Sequence, residues 1–334
     1  MESFKANENL HYYFYWMKVR MDIFWERFEG KPISTDDNIF KEFKFTNVYR
    51  CLDRVSQYLI RSVIYNGRGL SNDYDTEDIF WRILLFKHFN RIETWKMLED
   101  EFGDITLDIK FNDIIKFLNE KKAQGEIIYS NAYLLTAPIV RHDSFVKRYG
   151  IRGDSSKQEI YLNVFRESIF ENGYLYTLLR SQSLEELVMG LQKIDTIAAF
   201  LSMQYALDFN YSPLFNFDEN DFNLPGKGAV RGMLRCFDMK KNNPETQLEI
   251  LRWLQLNFDE LVNLYLGDNN IRFLPGRKPS LADLQNCFCE TDKYMRGLGI
   301  KVDGVKGTRI KQKFTPSNKN IDYFFPPKWG IEIM

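Results

Sequence analysis

The chain has 334 residues, 44% of them hydrophobic, which is enough to bury a large core in one domain or two. Its 45 basic and 46 acidic side chains give a formal net charge of −1, so binding to nucleic acid would require a local basic patch. Four cysteines without a CxxC pair and only three histidines argue against a zinc site or an iron–sulfur cluster, and no metal site is expected.

The sequence shows no signal peptide and no apolar run that is long enough to span a bilayer. We therefore expect a soluble, cytoplasmic protein with reduced thiols, no membrane contact and no obligate protein partner. The 28 Phe, 18 Tyr and 6 Trp predict thick helical packing, with some rings left for stacking on bases.

Aromatic side chains dominate the N-terminal 40 residues. Residues 8–28 are rich in Tyr, Phe and Trp, which predicts a helix that packs in the core. Residues 31–38 have Pro, Ser, Thr and Asp at turn positions and are predicted to form a loop.

Residues 48–60 are predicted to form the next helix, because apolar side chains recur at helical spacing (Val48, Leu52, Val55, Leu59). Polar side chains follow the same period on another side, with Asp53 beside them (Asn47, Arg50, Arg54, Gln57). One interpretation is a solvated face with an Arg50–Asp53 ion pair that contributes only a few tenths of a kcal/mol. The other is the lining of a ligand cavity, since amides and a guanidinium suit base edges. Spacing alone favours the solvated face.

Further helices follow along the chain. The helix at residues 79–89 is apolar nearly all round and is expected to be buried. Residues 126–129 suggest a short strand without a convincing partner, and residues 140–160 suggest a basic surface loop. The remaining predicted helices cover residues 94–102, 108–124, 184–191, 197–209, 246–266 and the segment that Ser280 caps.

The helix at residues 197–209 has a polar side. Gln204 and Asp208 lie on that side, and the helix leads into Asn210 and Tyr211.

Residues 222–232 predict a tight hairpin between two helices, preceded by a short helical turn at residues 218–221. Gly226 and Gly228 open the second helix and leave backbone N–H groups that suit a phosphate. Basic side chains add to this preference and favour a nucleic-acid backbone over a nucleotide (Lys227, Arg231, Arg235). A Walker-type loop is absent. The alternative is a helix-connecting turn that a glycine caps.

The C-terminal tail, residues 301–334, begins with a basic segment that could reach a phosphate backbone or form a mobile end (Lys301, Lys306, Arg309, Lys311, Lys313). No internal repeat or low-complexity linker appears. We therefore predict one helical unit over residues 1–334, made of an aromatic helix in 1–40, a core in 41–300 and the basic tail.

Four blocks of this sequence together resemble one family: residues 45–57, 82–90, 204–228 and 289–294. They are similar to the alpha-glutamyl/putrescinyl thymine pyrophosphorylases and the helical domain of 5-hydroxymethyluracil DNA kinases. That group resembles helix-hairpin-helix DNA glycosylases, including phage-defence glycosylases that excise glucosylated hydroxymethylcytosine. The resemblance covers about residues 45–296. It implies a mainly α fold of the helix-hairpin-helix glycosylase type, with two helical lobes around a cleft.

The function that this resemblance implies is a monofunctional DNA glycosylase in anti-phage defence. Such an enzyme flips a bulky modified pyrimidine out of double-stranded DNA and leaves an abasic site. No cofactor is implied, apart from a monovalent cation that the hairpin could hold. Val230 stands where glycosylases with lyase activity have an amine nucleophile, so a Schiff-base mechanism from that position is not expected.

The resemblance also implies site residues. The glycines of the hairpin become phosphate binders. A carboxylate beside the sugar is expected, with Asp292 as the first candidate, Glu290 the second and Asp53 the third. An insertion at residues 240–278 would have to explain the distance of Glu290 and Asp292 from the hairpin. For each of the three carboxylates an ordinary helix-surface ion pair is the alternative role. The implied base pocket consists of Asn47, Arg50, Gln57, Gln204, Asp208, Asn210, Tyr211 and Lys293.

Two other functions stay open at this point. One is a transferase that displaces pyrophosphate from phosphorylated hydroxymethyluracil in DNA, for which the cations Arg50, Lys293 and Arg296 would matter most. The other is a non-catalytic DNA-binding module, like a detached helical domain of a kinase. Because the chain has no Walker-type loop, it is not expected to be the kinase by itself.

Overall fold

The computed structural model describes residues 3–65, 74–130, 143–268, 270–307, 309–310, 312–315 and 321–333. Of the predicted segments, residues 140–142 of the basic loop and Lys311 of the tail lie outside these ranges. The prediction of a mainly α protein is confirmed. None of the described helices has the length and apolar character needed to cross a membrane.

The α-helices of the described chain are, in order, α1 Leu10–Phe28, α2 Asn38–Glu42, α3 Arg54–Tyr58, α4 Thr76–Phe89, α5 Ile92–Phe102, α6 Phe111–Ala123, α7 Asp143–Tyr149, α8 Lys157–Phe165, α9 Tyr174–Leu179, α10 Leu184–Leu191, α11 Ala199–Asn210, α12 Lys227–Cys236, α13 Pro244–Leu256, α14 Phe258–Leu266 and α15 Leu281–Gly297. Strands β1 Phe4–Ala6 and β2 Phe237–Met239 pair antiparallel, with Lys5 opposite Asp238. Two π-helical and two 3₁₀ segments complete the regular structure (Leu59–Ile64, Arg166–Glu171, Arg50–Leu52, Pro327–Trp329).

The chain divides into two compact units. The first consists of Met1–Arg54, Glu219–Tyr323 and Gly330–Met334, and the second of Val55–Asp218 and Phe324–Trp329. The predicted boundaries at residues 40 and 300, and the glycosylase-like arrangement of two lobes around a cleft, stay predictions.

The core of the first unit forms around α15, against which α1, α12 and α13 pack. Most aromatic residues of α1 are buried there, as expected, whereas Tyr15 is 38% exposed. The ring centroids of Tyr13 and Phe288 lie 4.4 Å apart, and the Tyr13 hydroxyl donates a hydrogen bond of 3.0 Å to the carbonyl oxygen of Leu284. Because this hydroxyl has a partner, the ring can be fully buried without leaving a polar atom unpaired.

The core of the second unit contains α4, whose residues from Ile79 to Phe89 are all buried, as the sequence predicts. Phe80 stacks on Phe209 of α11 with ring centroids 4.2 Å apart. The guanidinium of Arg82 donates hydrogen bonds to two backbone carbonyl oxygens at 2.8 and 3.0 Å. Burial lowers the pKa of Arg82, and burial also lowers the pKa of His88 to about 3, so His88 is neutral in the folded protein.

Several local predictions differ from the structure, and residues 143–160, which were predicted as a surface loop, contain helix α7 and the start of helix α8. The helix predicted at residues 48–60 is broken before Arg54, because Asp53 Oδ1 accepts hydrogen bonds from the backbone N–H and the side-chain amide of Asn47, at 2.8 and 3.0 Å. Residues 126–129 form no strand. The helix predicted at residues 246–266 is interrupted at Asn257, which separates α13 from α14. Hydrogen bonds from Asn and Asp side chains to the backbone compete with the backbone hydrogen bonds of a helix. The spacing of apolar residues gives no information about this competition.

Candidate anion-binding site

Helices α12 and α15 approach each other closely because α12 carries glycines at the contact. A Cβ atom added at Gly232 would lie 2.0 Å from the carbonyl oxygen of Phe288, and one at Gly228 would lie 2.5 Å from Sγ of Cys289. Both distances are shorter than van der Waals contact. These two glycines therefore allow α12 to pack closely on α15. For Gly228 this packing role holds whether or not it also binds a phosphate.

The tight hairpin predicted before α12 is absent. Helix α11 ends at Asn210, and residues 211–226 form an irregular connection in which residues 218–221 contain turns but no helix. Gly226 is the extended, buried residue before α12, and Lys227 is exposed at its first position. Phosphate binding by Gly226 and Gly228 stays a prediction. Gly228→Asp is a poor test of it, because the new side chain would also meet Cys289.

The packing of α12 on α15 places three arginines around one carboxylate. Oδ1 of Asp292 accepts a hydrogen bond from Nε of Arg235 at 2.8 Å. Oδ2 accepts from Nε of Arg296 at 3.1 Å and from Nε of Arg231 at 3.3 Å. The Asp292 side chain is fully buried, and those of Arg235, Arg296 and Arg231 are 2%, 13% and 30% exposed.

This arginine cluster has an excess of positive charge. One carboxylate faces three guanidinium groups, and Arg235 is held further by a hydrogen bond of 3.1 Å to the carbonyl oxygen of Ile300. Since a buried charge must be paired and hydrogen-bonded, Asp292 fixes the arginines in place. Both of its oxygens are occupied, so its role here is to hold cations. Of the predicted DNA contacts on α12, Arg235 is buried, whereas Arg231 and Lys227 reach solvent.

Next to this cluster lies a cavity of about 280 Å³, here called the cationic cavity. Arg309 is exposed and makes no ion pair in the described part of the chain. Lys313 pairs with Glu42 and lies 4.4 Å from the ring centroid of Phe43. The cavity is lined by Phe43, Arg296, Gly297, Arg309, Ile310 and Lys313.

The sequence had suggested that the basic tail could reach phosphates, but it had not shown where the tail lies. A backbone bridge pairs Phe43 with Lys313, and the N–H groups of Lys44 and Phe314 donate to the carbonyl oxygens of Gln312 and Glu42. This pairing joins residues far apart in the chain, so no local pattern reveals it.

The other two carboxylate candidates hold the segment before α3. Oε2 of Glu290 accepts a hydrogen bond from the backbone N–H of Thr46 at 3.1 Å and pairs with Nζ of Lys293 at 2.7 Å. Burial raises the pKa of Asp53, and its hydrogen bonds from Asn47 oppose the rise. The backbone N–H of Arg50 donates to Oδ1 of Asp283 at 2.8 Å. Asn47, Arg50 and Lys293 thus belong to the first unit and contact its own structure.

The remaining residues of the predicted base pocket lie in the second unit and are also buried. Oε1 of Gln57 accepts from the backbone N–H of Phe324 at 2.7 Å. Asp208 pairs with Nζ of Lys87 at 3.1 Å. The side chain of Asn210 bonds the backbone of Phe217 at 3.1 and 2.9 Å, and Gln204 and Tyr211 are buried as well. Their role as a base pocket stays a prediction.

Within the described residues no group of His, Cys, Asp and Glu could hold a metal ion.

Comparison with known proteins gives a family. The family model that describes the helical domain of 5-hmdU DNA kinases matches residues 7–302 of this chain. A 5-hmdU DNA kinase of Bacillus phage SP10 is 24% identical over 329 residues, which is 94% of this chain and 49% of the relative. The chain thus spans about half the length of the curated relative that it matches. No solved structure matches it significantly.

These comparisons correct the expected activity. The curated relative is a DNA kinase, which is a transferase, and not a glycosylase that hydrolyses a base from its sugar. The expectation that this chain is a DNA glycosylase is therefore wrong. The expected role in anti-phage defence was inferred from that glycosylase activity and is no longer supported.

Proposed function

We propose that this chain, which belongs to the family of the 5-hmdU DNA kinase helical domain, is a DNA-binding module that acts in thymine hypermodification. It binds double-stranded DNA that carries 5-hydroxymethyluracil and presents the modified base for reaction. Its phage relative is a 5-hmdU DNA kinase, and this similarity connects the chain to the modified base.

The observation that carries the proposal is the cationic cavity beside the arginine cluster. The chain as a whole has a net charge of −1, so a DNA phosphate is attracted only where basic groups are concentrated. Arg296 is held at the cavity by Asp292, and Arg309 is exposed without an ion pair in the described chain. A fixed guanidinium next to a free one suits the non-bridging oxygens of a phosphate.

The chain's own sequence favours DNA binding over ATP binding. Kinases of the P-loop type cradle the phosphates of ATP in a glycine-rich loop followed by Lys and Ser or Thr, and this sequence has no such loop. Binding of the DNA substrate is therefore the role that this sequence favours.

A second candidate is the transferase that displaces pyrophosphate from phosphorylated hydroxymethyluracil. The cationic cavity favours it, because a pyrophosphate leaving group needs cations to neutralise its developing charge. Of the three cations expected for that reaction, Arg296 lines the cavity, whereas Arg50 and Lys293 do not. Release of pyrophosphate from a suitably phosphorylated duplex in the presence of an amine distinguishes this transferase from a binding module.

Arg309→Glu tests the proposed module. Reversing the charge of an exposed side chain at the cavity should weaken binding to duplexes of any sequence, because a phosphate contact carries no base information. The slope of log K against log salt should fall in magnitude by about 1. Fluorescence anisotropy with a labelled hydroxymethyluracil duplex, repeated over a salt series, measures both quantities.

The matched control is Lys193→Glu, the same charge change at an exposed residue of the second unit. It should leave affinity and salt dependence close to the wild-type values. Equal binding by Arg309→Glu, Lys193→Glu and the wild-type protein would contradict a role of the cationic cavity in DNA binding.

A further inference from the structure

A second cavity in the first unit adjoins the cationic cavity across the ring of Phe43, which lines both. Its volume is about 180 Å³. We call it the aromatic cavity, because phenylalanine rings form much of its wall. Its lining includes Arg20, Ile23, Phe40, Phe43, Phe45 and Phe314.

The size of the aromatic cavity suits one six-membered ring. An apolar cavity of roughly 150 Å³ in another protein holds benzene, so a cavity of this volume admits a pyrimidine and is too small for a purine with its sugar. The ring centroids of Phe40 and Phe45 lie 4.9 Å apart. Aromatic walls of this kind provide stacking surface for a base.

Arg20 is one of four lining residues with a polar or charged side chain, together with Arg27, Thr35 and Lys41. Its Nε donates a hydrogen bond of 2.8 Å to the carbonyl oxygen of Thr46, which fixes the guanidinium. Its Nη1 is shielded from solvent and has no hydrogen-bond acceptor among the described residues. Burial lowers the pKa of Arg20, while the carboxylates of Asp53 and Glu290 favour its charged form and the nearby Arg27 opposes it. A buried donor without an acceptor is costly, and Arg20 is also one of the residues that line the aromatic cavity.

We propose that the aromatic cavity receives a single pyrimidine base turned out of the duplex. The base stacks against the phenylalanine rings, and Arg20 donates a hydrogen bond to a ring carbonyl. The phosphate of the same nucleotide then lies in the cationic cavity on the other side of Phe43. This inference rests on the proposed function, since it names how that DNA-binding module holds its target base.

A mispaired target tests the inference, because extruding a base is cheapest where pairing is already weak. The two duplexes differ only in having adenine or guanine opposite one 5-hydroxymethyluracil. The wild-type protein should bind the mispaired duplex at least about tenfold more tightly, since the pairing free energy removed exceeds what a tenfold change in affinity requires. The readout is the ratio of the two affinities.

Variants that fill the aromatic cavity should remove this preference. Ile23→Phe adds a ring from α1, and Ile33→Trp adds one from the rim, where Ile33 is 43% exposed and a larger side chain is tolerated. Both substitutions should bring the ratio of the affinities for the mispaired and the paired duplex close to one. Ile127→Trp, at a 60% exposed isoleucine of the second unit, is the matched control and should keep the wild-type ratio.

The outcomes separate this inference from the proposed function. If Ile23→Phe and Ile33→Trp fold, shown by an unchanged Tm, and keep the preference for the mispaired duplex, the aromatic cavity does not receive the base. A wild-type ratio near one would also overturn the inference. In either case a loss of affinity in Arg309→Glu would still support DNA binding at the cationic cavity.

Discussion

Asp292→Asn is expected to lower the free energy of unfolding by about 3–5 kcal/mol, the range for removing one partner of a buried ion pair. The substitution keeps the shape of the side chain but leaves Arg235, Arg296 and Arg231 without the carboxylate that compensates them. Arg235 is almost completely buried, so solvent cannot replace the lost interaction. Urea denaturation followed by circular dichroism measures the change.

The control for Asp292→Asn is Asp259→Asn. Asp259 pairs with Lys278 at the surface, where both side chains are about two-thirds exposed or more, and surface pairs of this kind contribute little to stability. If Asp292→Asn is no more destabilising than Asp259→Asn, the carboxylate does not hold the arginine cluster together.

Gly232→Ala should have a second large effect on stability. Its new Cβ atom would lie 2.0 Å from the carbonyl oxygen of Phe288 and 2.6 Å from the carbonyl carbon. These atoms belong to the backbone of α15 and cannot rotate away, so the two helices would have to separate. Overpacking usually costs about 1–3 kcal/mol and sometimes more, and we expect a loss at or above the upper end of that range.

The matched substitution is Gly153→Ala, where no atom lies within 4 Å of the added Cβ. It should change the free energy of unfolding very little. Wild-type stability of Gly232→Ala in the same denaturation assay would show that α12 and α15 do not depend on this close approach.

Much of the helical architecture could be predicted from the sequence, because long apolar patterns report burial directly. The aromatic content of residues 8–28 predicted α1, and the apolar run at residues 79–89 predicted the buried α4. The pairing of β1 with β2 was missed, because its two strands of three residues lie at distant points of the chain. Strands this short contain too few residues for an alternating pattern.

The candidate site was predictable only in its parts. Arg231 and Arg235 were expected to contact DNA, but their shared partner Asp292 lies on another helix, and no spacing rule connects them. Gly226 and Gly228 were predicted to bind a phosphate, and the structure shows that Gly228 and Gly232 allow close helix packing. A glycine in a sequence indicates that a neighbouring group approaches the backbone closely. It does not indicate whether that group is another helix or a ligand.

The aromatic cavity was not predicted, because its rings come from separate segments and look like ordinary core residues. Phe40 lies in the short helix α2 and Phe45 follows that helix, and Phe314 joins them through the backbone pairing of residues 42–44 with 312–314. The side chains of Asn47, Gln57 and Asn210 make hydrogen bonds inside their own units, and the role of the predicted base pocket stays a prediction. A pocket lined by phenylalanines together with a few aliphatic, basic and polar side chains has no sequence signature of its own.

The central claim is that this chain recognises DNA through its modified thymine. The most direct test is a competition in which two duplexes of identical sequence, one with thymine and one with 5-hydroxymethyluracil at the same positions, displace a labelled duplex from the wild-type protein. We expect the hydroxymethyluracil duplex to compete at lower concentration, and its advantage to persist as salt weakens both, because the phosphate contacts are common to the two. Equal competition by the two duplexes at every salt concentration would contradict the claim.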